Sequence, residues 1–298
     1  MHLFLEKSYR NVNFKGSILV LVCSLLLMGC AKNKNSITII PQAQKNHLQT
    51  ESIKGQVKSL EECKFATVDK TGEKIDTSKL LSITHKFYSA DGYLNRVVIM
   101  NSRHDTMSVR NIYYDDNAKM IKDELFDSTG VRVQYTIYEN DKHGFRVKES
   151  RFANDSLIQT LSYKNDGYGN PLEITLVSEA FSQKIKYSYN EVGLPLKVDE
   201  YDPDGQIFKY VTMEYDNYGD LVNKRVYRKD GIMLEYTHIQ MNEKGEWQKQ
   251  VYESLLPGVN ITEVTEYSNH DGKGNWLRKV RKIDNKAYFI NTRTIEYY

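Results

Sequence analysis

The sequence predicts an all-β fold: a long antiparallel meander of about 13-residue strand-turn units, a 26-residue double repeat, forming a coiled or partly closed sheet. Three observations carry this. Aromatic or apolar openers recur at Tyr88, Tyr114, Tyr138, Tyr163, Tyr189, Tyr215, Met241 and Tyr267, spaced by 24 to 26 residues, with a second set at Met100, Phe126, Phe152, Tyr201 and Tyr227. Between openers lie reversals such as Asp127-Ser-Thr-Gly130, Asp202-Pro-Asp-Gly205 and Glu243-Lys-Gly245, in which Gly takes positive φ and Asp, Asn or Pro sets the bend. The intervening segments alternate: Val131, Val133, Tyr135 and Ile137 share one face, and Phe181, Ile185, Tyr187 and Tyr189 share another. Period two with one apolar face is the pattern of a half-buried antiparallel strand.

Residues 1–29 read as a leader. Lys7, Arg10 and Lys15 precede an apolar run, Ile18 to Met28, that is short for a membrane span. The run ends in Leu27-Met-Gly-Cys30, which resembles the bacterial lipobox; the resemblance implies cleavage before Cys30 and lipidation of its sulfur. Residues 30–50 are polar and aperiodic, a flexible tether. The acidic run after the Cys that resembles a surface-export signal in Bacteroidota-like lipoproteins is missing, which favours a periplasm-facing lipid anchor in the outer membrane.

Residues 51–298 form the β domain. Its first strand falls in Val57 to Val68 and carries Cys63, a lone thiol in a strand, read as a small hydrophobe. Asp69-Lys-Thr-Gly72 turns it toward the strand that ends at Phe87-Tyr88. Eight double units then imply about sixteen strands, more than an open twisted sheet holds without curling. Turn signals weaken between Leu172 and Lys186 and between Tyr252 and Val264, where Pro257-Gly258 caps a longer loop. The chain stops on Thr294-Ile-Glu-Tyr-Tyr298, which reads as an edge strand.

The repeat resembles the YD-repeat, or RHS-like, family. Tyr215-Asp-Asn-Tyr-Gly-Asp-Leu221 carries the likeness best, with Tyr114 to Met120, Tyr189 to Pro195 and Tyr163 to Leu172 beside it. The resemblance implies a spiralling β architecture over residues 53–298 and brings no catalytic role, since Asp202-Pro203 merely holds a turn position. The repeat-opening tyrosines read as core that locks unit to unit.

Composition narrows the function. Of 298 residues 22 are Tyr and 2 Trp, which suits a solvated sheet with aromatic cross-strand pairs. The leader removes three basic residues and one acid, leaving the mature chain neutral, so no nucleic-acid partner is expected. The seven histidines stand in no ligand spacing, and no phosphate loop, nucleophile elbow or dinucleotide fingerprint occurs; neither metal nor cofactor is expected. Acids recur at turns, and a glycan hydrolase built on those turn carboxylates is the alternative to a non-catalytic reading. Trp247 and Trp276, after late turns, are the candidate ligand contacts on an exposed surface, and Thr106 and Ser156 sit in Asp-Thr/Ser-apolar triplets resembling Bacteroidota O-glycosylation sites. The expectation is a lipid-anchored envelope protein, bound to membrane lipid through acylated Cys30, that serves as a repeat-built binding or scaffold module for an envelope protein or glycan.

An outer-membrane barrel is the third possibility. Segments such as Val147-Lys-Glu-Ser-Arg151, with charge on both faces, argue against it.

Overall fold

The computed structural model describes residues 46–67, 79–217, 219–243, 246–256, 259–283 and 286–298. The leader, Cys30, the first part of the tether and the turn at 69–72 lie outside these residues. Eighteen strands run from β1 (Val57–Ala66) and β2 (Lys79–Tyr88) to β16 (Val259–His270), β17 (Trp276–Ile283) and β18 (Lys286–Tyr297). Each pairs antiparallel with its successor, as predicted. β18 also pairs with β1, from Val57 opposite Tyr297 to Ala66 opposite Phe289. The sheet therefore closes into an eighteen-stranded barrel, not a partly closed one, and Thr294 to Tyr297 belong to an interior strand rather than an edge.

One turn chemistry builds most of the barrel. At Asp115 the carboxylate accepts the backbone N–H groups of Asn117 and Lys119, while the N–H of Ala118 donates to the Asp115 carbonyl. Asp127, Asp141, Asp166, Asn190 and Asp271 repeat the pattern. This is a type I turn closed by a left-handed residue, the three-residue hairpin loop whose last position demands φ > 0. Gly205 supplies it at φ 78°. His104 and Ala118 hold the same position at 66° and 58° without glycine's freedom.

Directly opposed residues share a face of a sheet, so one ring of pairings defines the barrel's inner lining. Val198 faces Val211, which faces Val226, and Ile174 faces Ile185. These join Leu161, Leu176, Tyr187, Met213 and Ile239 in one buried cluster. Tyr163, Tyr189 and Tyr215 pack against that cluster, and Tyr88 and Tyr114 belong to a second one, so the opening tyrosines are core. Two corrections concern register. In β6 (Arg132–Asn140) the inward residues are Thr136 and Tyr138; Val133, Tyr135 and Ile137 face outward, because Thr136 opposes buried Asp123. The residues equivalent to Tyr114 and Tyr215 are Asn140 and Asn165, beside the same bulge, with Tyr138 and Tyr163 one inward step earlier. The hydroxyls of Tyr114, Tyr189 and Tyr215 donate to the carbonyls of Leu94, Pro171 and Pro195, and the Asn140 and Asn165 amides donate likewise to Met120 and Arg146. Each such bond ties one double unit to the previous one.

The outer face mixes ion pairs with exposed apolar side chains such as Phe87, Tyr113, Ile137 and Val177. Lys148–Glu139, Lys164–Glu173, Lys197–Asp199 and Lys282–Glu266 pair across it at 2.7–2.9 Å. Tyr135 stacks on Phe152 and Tyr210 on Tyr227 between them. A shorter outer strip of Ile83, Val98, Val280 and Ile290 is buried.

One further expectation changes. The tether ends by Asn46: His47–Thr50 form a short helix, α1, with a reciprocal Asn46–Gln49 cap, and the segment docks on the barrel. Leu48 and Ile53 enter the core beside Tyr88, Leu94 and Ile112, and Asn275 exchanges hydrogen bonds with Lys54. β15 (Trp247–Leu256) and β16 stay paired to Leu256 opposite Val259, and Pro257-Gly258, where the sequence predicts a longer loop, lies outside the described residues.

Candidate functional site

The wall formed by β16, β17, β18 and β1 concentrates charge inside the barrel. Inward alternation places Glu263 on β16, Lys279 and Arg281 on β17, Phe289, Asn291 and Arg293 on β18, and Glu62 and Lys64 on β1. The sequence disperses these residues over some 230 positions, and ring closure joins them. Glu62 is the hub. Its carboxylate accepts from Arg293 Nε at 2.8 Å and Asn291 Nδ2 at 2.8 Å, and lies 3.1 Å from Lys279 Nζ. Burial would raise the Glu62 carboxyl, yet the charges of Lys279 and Arg293 outweigh it and hold the group at about 2. Burial lowers the Lys279 ammonium, with Arg293 adding to the fall and Glu62 opposing it.

Nearer the β17–β18 turn, Arg281 gives Nε and a terminal nitrogen to Glu263 at 2.9 and 2.7 Å. Lys64 stands 3.8 Å over the Phe289 ring, and Arg281 lies 5.6 Å from the same ring. Burial, then Arg281, pulls the Lys64 ammonium down.

Trp276 belongs to this wall. Arg293 stacks over it at 3.4 Å and Lys279 at 4.6 Å, and Tyr267 meets it at 5.5 Å. Trp247 meets the other side of Tyr267 at 5.4 Å and packs against the main core. Both tryptophans are thus half-buried and inward, not displayed outside as expected, because both rings pack on inward Tyr267. Sequence reading missed Lys64, Arg281 and Phe289; the signal available was a charged inward position in strands whose counterparts elsewhere are Val or Ile.

Thr106 and Ser156 are exposed at strand starts just after turns. Cys63 is half-buried on the outer face, 3.5 Å from Glu61, and burial with that carboxylate pushes its thiol up to about 11. Among the described residues no group of His, Cys, Asp or Glu could hold a metal. The turn carboxylates already accept backbone N–H groups. A hollow of about 270 Å³ lies between the turns at 141–144 and 166–169. Its Asp141 and Asp166 serve their own turns, and Tyr163 donates to Glu149.

Comparison with known proteins gives outlines only. No family model and no curated protein sequence matches the chain. Among solved structures it is similar to a porin-like protein from Bacteroides uniformis, at 12% identity and TM-score 0.45, covering 82% of this chain and 98% of that one. A porin-like protein from Bacteroides vulgatus matches at 10% identity and TM-score 0.34, over 81% and 98%. The TcdB2-TccC3 structure matches at 12% identity and TM-score 0.34, over 75% of this chain but 17% of that one. Likeness at this level transfers neither activity nor location.

Proposed function

We propose that this chain is a non-catalytic, lipid-anchored protein of the bacterial outer membrane whose water-standing barrel serves as a binding or scaffold module for an envelope protein or glycan. The observation that carries the reading is the polarity of the two faces. A barrel in lipid presents a continuous apolar band outward and a polar lumen inward, whereas here ion pairs interrupt the outer face and the main apolar cluster lies inside. Closure removes every sheet edge, so recognition falls to the turn rims, the outer face and the charged inner wall rather than to strand addition. Fifteen residues separate Cys30 from Asn46, enough for about 50 Å of extended tether.

Glycan-array binding together with envelope cross-linking of the mature protein tests this reading. One dominant partner or glycan class supports it. Silence in both, or ion conductance across planar bilayers, overturns it. Radiolabelled palmitate incorporation that disappears in Cys30→Ser checks the anchor.

A further inference from the structure

Four cations, Lys64, Lys279, Arg281 and Arg293, share the inner wall of β16–β18 and β1 with two carboxylates, Glu62 and Glu263. These six side chains carry a net charge of +2, in a mature chain that is neutral overall. The excess has a definite place. Glu62 is saturated by Lys279, Arg293 and Asn291, and Glu263 by the paired nitrogens of Arg281. Lys64 meets no carboxylate within ion-pair distance among the described residues and rests on Phe289 instead. Arg281, at 35% side-chain exposure, approaches the same ring.

Holding Lys64 beside this ring is costly while its charge is uncompensated, because partial burial strips hydration that a π-face repays only in part. Structural packing needs no cation at residue 64: Met or Leu would cover Phe289 equally well. Lys64 supplies a point charge and Arg281 the N–H groups left over from its pairing with Glu263, a combination that suits an oxyanion.

We propose that this wall binds an oxyanion, a carboxylate or sulfate borne by a soluble ligand, held between the Lys64 ammonium and the Arg281 guanidinium. The proposal rests on the binding-module reading above and names the ligand chemistry for it. Because Arg281 stays paired to Glu263, the incoming anion completes the charge of Lys64 first, and Lys64 dominates affinity. The sources of such an anion are a free inorganic ion or an acidic saccharide.

Calorimetric titration of the full mature chain with sodium sulfate and, separately, with trigalacturonate tests it. The expected result is saturable binding of at least one probe, weakened about tenfold by Lys64→Gln, as for loss of one hydrogen bond to a charged group. Lys64→Arg retains binding, and added NaCl weakens it. Sulfate that saturates the site alone identifies a free anion; trigalacturonate without sulfate identifies a saccharide-borne carboxylate; both outcomes support the site. No saturable binding of either probe, or equal affinity in Lys64→Gln, overturns it. Among the described residues Lys64 makes no ion pair, so an unchanged Tm in Lys64→Gln keeps the result separate from unfolding. A neutral glycan captured on the array with both anions silent retires this site while leaving the barrel a binder.

Discussion

The two rims of the barrel are built with the same turn and finished differently. At the rim carrying Asp115, Asp141, Asp166 and Asp271, the segment from Asn46 to Gln56 sits in the mouth: Asn46 Nδ2 donates to the Asp91 carbonyl at 2.7 Å, and Lys86 holds Glu51 at 2.6 Å. Beneath it lie Tyr88, Leu94 and Ile112. Toward the opposite rim, with Asp127 and Asp202 in its turns, the inner wall carries Lys64, Arg281 and Glu263 instead. Turn chemistry thus sets where strands reverse and is silent about what the mouth holds. The inward residues toward each strand end decide that.

The largest test of this contrast removes the plug. Ile53→Ala deletes buried methyl groups at the plugged mouth and should cost about 2–4 kcal/mol, read as a lower urea midpoint. If Ile53→Ala leaves the midpoint unchanged, the segment is a passenger on the rim.

Acid should separate the same two regions. Burial, assisted by Lys86, Arg146 and Arg110 and opposed by Glu51, lowers the His47 imidazole to about 4 from 6.5. The folded state therefore favours neutral His47; its contribution is complete above pH 6.5 and is lost as pH falls toward 4. Glu62, depressed to about 2 from 4.5, contributes fully above pH 4.5 and loses its share only between 4.5 and 2. His47→Gln should abolish the upper part of the acid limb in a stability-versus-pH curve and leave the lower part. Glu62→Gln should flatten the lower part at the expense of stability at neutral pH. A single limb insensitive to His47→Gln would show that the plug does not sense protons.

Glycine substitutions give a smaller effect. Gly205→Ala meets open space and pays only for the left-handed backbone, about 1–2 kcal/mol. Gly92→Ala, at φ 82°, pays that cost and also drives a Cβ to 2.7 Å from Asn46 Nδ2, so it should lower the melting temperature further and loosen the plug. Equal losses would mean that Asn46 yields freely. The smallest effect is a gain. His104→Gly and Ala118→Gly relieve positive φ at the two rims and should each stabilise by up to about 1 kcal/mol, after the entropy of the unfolded glycine is subtracted. Thermal melts resolve it.

The repeat, the all-β class and the core role of the tyrosines were legible because each depends on neighbours a few residues away: an Asp whose carboxylate caps its own turn, a Gly at positive φ, a strand that alternates. The slip at Tyr138 and Tyr163 has the same local origin. Aligning on rings misplaces two units, whereas aligning on the capping residues Asp115, Asp141, Asp166, Asn190 and Asp216 restores the bulge register. The inward Trp276 was not legible. Its partner Arg293 comes from the next strand and Glu62 from the first, and only a closed ring brings all three together.

By itself, the sequence determined the reversals, the antiparallel order of neighbours and the alternation along each strand, since short-range sterics and turn hydrogen bonds specify these locally. Tertiary structure alone decided closure, the face each alternation turns inward and the gathering of Lys64 with Arg281. Those depend on β1 finding β18 across more than 220 residues, a pairing whose energy comes from the whole ladder and from no short motif.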